Sequence, residues 1–107
     1  MKYYLVGELN LTDRRWVAEY VKNVTKLVEE RGGRYLARTA TFRKMEGERE
    51  TPQIFLLIEW PSKEAAEAFY ESEEYRPYRE SRKEGSRNEM VLIAGEDINK
   101  IARIADE

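Results

Sequence analysis

Apolar residues recur along this chain in two different periods, and the places where the period changes divide it into elements. From Lys2 to Leu9 both parities carry apolar residues, with Tyr3, Leu5 and Leu9 on one face and Tyr4, Val6 and Glu8 on the other, which predicts a strand. Leu11 and Thr12 lead to Asp13, a residue type suited to an N-cap. Trp16, Val17, Tyr20, Val21, Val24, Leu27 and Val28 then repeat at helical spacing, and Gly32 and Gly33 follow as a stop. Each large apolar side chain buried from that stripe contributes roughly 1.5 to 3 kcal/mol.

Arg34 to Met45 carries Tyr35, Leu36, Thr39, Thr41 and Phe42, and its β-branched and aromatic content predicts a long strand. The polar run from Glu46 to Gln53 joins it to an apolar strand, Ile54 to Trp60, closed by Pro61; strand, loop and strand make an antiparallel hairpin. Ser62 is placed to cap a helix with the stripe Ala65, Ala66, Phe69 and Tyr70. Pro77 cannot lie deep in that helix without a kink, so a second helical piece is expected to start near Ser72 or Glu73. Glu89 to Gly95 reads as a last strand, and Glu96 to Glu107 as a polar tail with helical potential in IARIA.

The order β-α-β-β-α-β is that of a ferredoxin-like α+β domain, a four-stranded antiparallel sheet with both helices on one face. The expected organisation is a single domain over residues 1–96 and a polar tail over 97–107. Parity then exposes a consequence. In IFLLIEW, Ile54, Leu56, Ile58 and Trp60 share one side while Phe55, Leu57 and Glu59 share the other, so the face without helices is also apolar. Its extent is on the order of 300 Å², a patch of a size usually covered. A homodimer packed through the sheet face, enclosing a barrel-like interior, is expected.

Composition narrows the chemistry. The chain has 107 residues, 19 basic and 21 acidic, for a formal charge of −2 with both signs dispersed, which disfavours nucleic acid as a partner. No apolar run approaches the roughly 20 residues of a membrane helix, and MKYYLVGELN lacks the features of a signal peptide, so a cytoplasmic location is expected and no membrane partner. There is no cysteine and no histidine. Thiolate nucleophiles, disulfides, Ser-His triads and Cys/His zinc sites are thereby excluded, and any general base is a carboxylate, a lysine or a tyrosine. No spacing of carboxylates singles out a metal set, and no cofactor is expected. The 37% of charged residues suits either a thermophile or a redesigned sequence.

Glu59 and Glu8 are acids on the less apolar parity of strands, and Arg38 stands out as their counter-charge. Such a group is either a polar patch in a ligand cavity or an ion pair that fixes strand register. In EAFYESEEYRPYRESR, Phe69 and most of Tyr70 belong to the core stripe. Arg76, Arg79 and Arg82 lie at helical spacing, a cationic ridge that Glu71, Glu73, Glu74 and Glu80 can neutralise. Tyr75, Arg82 and the Tyr70 hydroxyl are the candidates for a cavity wall.

Several segments, AEYVKNV, GGRYLAR, MEGE and IEWPSKEAAEAFYESEEYRPYR, together with Arg82, resemble the DUF1330 family of the dimeric α/β-barrel superfamily, over about Lys2 to Glu96. The resemblance implies the ferredoxin-like fold, a homodimer, and pockets between sheet and helices. Its recurring polar positions match here as Arg38, Glu59, Tyr70, Ser72, Tyr75 and Arg82, which become the candidate ligand-binding set. The family supplies no general activity. Neighbouring families in the superfamily include cofactor-independent monooxygenases, haem-dependent peroxidases, haem-degrading enzymes and muconolactone isomerase-like proteins, and the absence of histidine speaks against the haem branches. Three functions stay open. One is a small-molecule pocket for a carboxylate or an aromatic compound, with the arginines holding oxygen, the tyrosines donating, and Glu59 orienting Arg38 or acting as base. Another is a structural or redesigned scaffold without catalysis, and the third a monooxygenase-like enzyme.

Overall fold

In a computed structural model, described here for residues 1–105, the chain runs β1 (Tyr3–Leu11), α1 (Val17–Glu30), β2 (Arg34–Thr39), β3 (Ile54–Trp60), α2 (Lys63–Tyr70), α3 (Arg76–Glu84) and β4 (Ser86–Ala94). The strands form one antiparallel sheet in the order β2-β3-β1-β4. This is the ferredoxin-like α+β arrangement, with the second helix divided in two. No helix among the described residues is long and apolar enough to cross a membrane.

The core lies between the sheet and the helices. Val24 and Val28 of α1, Ile58 and Trp60 of β3, Ala66 and Phe69 of α2, and Tyr75 at the start of α3 form one buried cluster. The α1 stripe therefore does what its spacing predicts, and the helix ends at the expected glycines: Gly32 takes a φ of 92°, and the Gly33 N–H donates to the Val28 carbonyl at 2.9 Å. Ser62 caps α2, its Oγ accepting from the Ala65 N–H at 3.1 Å.

Several boundaries differ from expectation, each for a local reason. Asp13 is not the cap of α1, which begins at Val17; its carboxylate instead accepts from the Arg15 backbone at 2.9 Å and pairs with the Arg15 guanidinium. The bonded Arg15 holds the Asp13 carboxyl down at about 2. β2 stops at Thr39 rather than running to Met45, because β3 begins at Ile54 and pairs back only as far as Thr39↔Phe55. β1 and β4 are longer than their apolar runs, since Asn10 and Leu11 pair with Arg87 and Ser86. α3 starts at Arg76, with Pro77 in its first turn where the missing N–H costs nothing. IARIA is not helical among the described residues. The Asp97 carboxylate there accepts from the backbone of Asn99, Ile101 and Ala102, which lowers its pKa.

One irregularity decides which side chains face the helices. β2 and β3 pair as Arg34↔Glu59 and Tyr35↔Ile58, then resume as Ala37↔Leu57 and Arg38↔Leu56, so Leu36 is a bulge. In unbroken register Arg38 would oppose Phe55 and share the outer face with Glu59. The extra residue shifts the phase by one, and Arg38 lies instead with Leu56 on the helix side.

Candidate functional site

Between the sheet and the helices lies a cavity of about 410 Å³. Its floor is the helix-facing parity of the sheet, including Leu5, Leu9, Ile54, Leu56, Met90 and Leu92, and its roof includes Trp16, Tyr20 and Val24 of the α1 segment. The walls are mostly apolar and aromatic. The volume falls in the range of small-ligand pockets.

The polar end is built by the turn between α2 and α3. Ser72 Oγ donates to the Phe69 carbonyl at 2.8 Å and accepts from the Tyr75 N–H at 3.2 Å. This bridge ties the end of α2 to the start of α3 and so sets the phase of α3. Tyr75, Tyr78, Arg79 and Arg82 then fall on one inward side of α3 by its own period, while Arg76 faces out beside Glu73. Tyr75 is buried and stacks on Phe69 at 4.4 Å between centroids, and Phe69 stacks on Trp60 at 5.3 Å.

Arg82 is the central group. Only 2% of its surface is exposed. Its Nε donates to the Tyr75 hydroxyl at 3.4 Å, and among the described residues no carboxylate pairs with it and its Nη2 has no hydrogen-bond partner. Burial works to lower its pKa, but the oxygens of Tyr75, Tyr20 and Tyr70 outweigh that and the guanidinium stays charged. The Tyr75 hydroxyl in turn lies 2.6 Å from the Tyr20 hydroxyl. Burial raises the Tyr20 pKa far above the usual phenol value, and the Tyr75 hydroxyl adds to the shift, so Tyr20 is a neutral donor throughout the physiological range.

Of the six candidates, Arg38, Tyr70, Tyr75 and Arg82 line this cavity. Arg38 stands at its exposed side, its guanidinium 4.5 Å from the Tyr35 ring centroid and donating to Thr25 Oγ1 of α1 at 3.1 Å. Tyr70 is at the mouth, 36% exposed, beneath the Arg79 guanidinium at 5.3 Å. Ser72 shapes the wall from behind rather than lining it. Glu59 is not with Arg38: it faces the other side of the sheet, 3.3 Å from Lys2 Nζ and 4.0 Å from Arg34 Nη1. Glu8 shares that outer face, paired with Arg49 at 2.9 Å. The counter-charge relation expected for Arg38 is therefore absent, and the Leu36 bulge is the physical reason.

The arginine ridge is also divided. Arg82 turns inward, Arg79 packs over Tyr70 beside Glu80, and Arg76 alone is mainly solvated among the three. Tyr20 and Trp16 are the members that the apolar stripe concealed, since both count as core by period. The signal available was the polar tip each carries at a core position, which requires a partner: Trp16 Nε1 donates to the Gly85 carbonyl at 3.1 Å, and Tyr20 meets Tyr75. No group of three or more acidic side chains among the described residues is arranged to hold a metal ion.

Residues 2–96 match the family described as Domain of unknown function (DUF1330). No curated protein matches the sequence. Among solved structures the chain is similar to the RPA0582 protein of unknown function from Rhodopseudomonas palustris, with a TM-score of 0.72 at 14% identity over 86% of this chain and 80% of that one. It is also similar to SnoaB, a cofactor-independent oxygenase from Streptomyces nogalater, with a TM-score of 0.62 at 12% identity, covering 90% of this chain and 94% of that one. The de novo designed protein Foldit4 gives 0.56 at 17% identity, covering 88% and 98%. A natural oxygenase and a designed chain thus share this fold, and the fold alone does not supply a function.

Proposed function

This chain belongs to the DUF1330 family, and from that premise we propose that it binds a small apolar organic anion in the cavity between its sheet and its helices. The observation that carries this reading is Arg82: a buried guanidinium with no counter-charge among the described residues, and with one nitrogen unpaired, at the end of an apolar chamber. A buried cation without an opposite charge beside it is costly. A ligand carboxylate or other anionic oxygen at that end offsets the cost, while the aliphatic and aromatic walls accept the apolar body. Arg38, at the exposed side, adds positive potential that favours entry of an anion. An oxygenase reading needs a base in the same chamber. Glu59, the base expected from sequence, faces the other side of the sheet, and the carboxylates that do line the chamber, Glu67 and Glu71, are exposed and lie outside its buried end.

The same reading includes a homodimer. On the face opposite the helices Val91 is 55% exposed and Ile93 46%, beside Val6, Phe55 and Leu57 in the neighbouring strands. Two such faces packed together remove both from water.

The test of the pocket is thermal unfolding against a panel of aromatic and aliphatic carboxylates, for the parent and for Arg82→Met. A ligand at 100 times its Kd stabilises the parent by about 2.7 kcal/mol, and the variant is expected to lose that response. Silence of the parent across the whole panel would sink the reading.

A further inference from the structure

The hydroxyl pair beside Arg82 holds one donor that the protein does not use. Two phenols carry two hydrogens, and the contact between Tyr20 and Tyr75 at 2.6 Å takes one of them. Among the described residues the other group at these hydroxyls is the Arg82 guanidinium, whose Nε donates to Tyr75 at 3.4 Å and which also bonds Tyr20. A hydroxyl that accepts from a guanidinium becomes a better donor itself; with Tyr75 as the donor within the pair, the hydrogen left over is that of Tyr20. Both tyrosines and Arg82 line the cavity. Its buried end therefore presents two unengaged donors, Arg82 Nη2 and the Tyr20 hydroxyl, and the buried cation there supplies one positive charge.

Resting on the anion-pocket reading above, we propose that this end recognises a monocarboxylate, with Tyr20 as the second anchor. One carboxylate oxygen accepts from Arg82 Nη2 and the other from Tyr20. The charge of the ligand is limited to one, because Arg38 is exposed and engaged with Thr25 and the Tyr35 ring, so a second negative charge would sit unbalanced among apolar walls. A primary amide of the same shape is rejected on other grounds, since its NH2 would face a donor.

The experiment is calorimetric titration with 2-naphthoate, 2-naphthamide and 2-naphthyl phosphate, against the parent, Tyr20→Phe, Tyr75→Phe and Arg82→Met. Naphthoate is expected to bind the parent at least about tenfold more tightly than either analogue, and Tyr20→Phe to lose about tenfold or more for naphthoate alone, the scale of a hydrogen bond to a charged group. Tyr75→Phe, which interrupts the chain without touching the ligand, is expected to weaken naphthoate by a smaller factor, and it serves as the second variant should Tyr20→Phe fail to fold. Undiminished naphthoate binding by the folded tyrosine variants, with loss in Arg82→Met, overturns the role of Tyr20 and leaves the anion pocket standing. Phosphate binding as tight as naphthoate overturns the single-charge limit. No binding of any of the three by the parent overturns both the inference and the reading beneath it.

Discussion

The Arg82 guanidinium and the Tyr75 hydroxyl meet 3.4 Å apart inside the protein, a full charge facing a neutral oxygen. A cation held this way has been taken from water without receiving an opposite charge from the described residues. Replacing it with an apolar side chain of similar length is therefore expected to leave the stability of the ligand-free protein unchanged or raise it by up to about 2 kcal/mol. Denaturant unfolding of Arg82→Met checks this, and a loss of more than about 1 kcal/mol would show that the tyrosine hydroxyls alone compensate the charge.

Gly85 follows α3, and its carbonyl accepts from the backbone N–H groups of Thr12 and Asp13 and from the Trp16 indole. A Cβ at that position would overlap the indole ring. Gly85→Ala is expected to cost about 1 to 3 kcal/mol through the displaced tryptophan. The tryptophan emission maximum should shift with it, and an unchanged unfolding midpoint would mean that the ring moves aside freely.

If two sheets pack face to face, Val91 lies in their interface; if not, it is an exposed side chain where a lysine is harmless. Val91→Lys is expected to convert a sedimenting dimer into a monomer. A parent that already sediments as a monomer rejects the dimer outright.

Burial raises the phenol pKa of Tyr20 and of Tyr35 above the ordinary tyrosine value of about 10. The folded state thus holds these protons more tightly than the unfolded chain. Their contribution to stability is fully present below pH about 10 and is lost as pH rises beyond it toward the folded-state values. Urea midpoints measured from pH 8 upward should fall above pH about 10, with the fall reduced in Tyr20→Phe. Phenolate absorbance from Tyr20 should appear only together with unfolding.

The element order was legible because each long element repeats a period: the α1 stripe and the alternation of IFLLIEW both face where their spacing places them. Polar ends were less so. Ser86 and Arg87 join β4 by pairing with Leu11 and Asn10, a relation between distant residues that leaves no local hydrophobic mark. For the site, Tyr75 and Arg82 were found from their place after the helix break, and the inward turn of Arg82 follows from where α3 restarts. Arg38 and Glu59 share a parity class in the written sequence only if β2 is regular. Tyr20 was hidden because a hydroxyl at the edge of an apolar stripe is invisible to hydrophobic period.

The Leu36 bulge carries a consequence for how such a site can change. The side on which Arg38 stands is governed by a count of residues, not by the identity of any of them. A one-codon deletion in β2 would transfer a positive charge from the interior chamber to the opposite surface with every other residue type preserved, and a compensating insertion would return it. Two relatives with matching residues could therefore differ in which compartment is charged, and an alignment that slides a gap by one place would miss it.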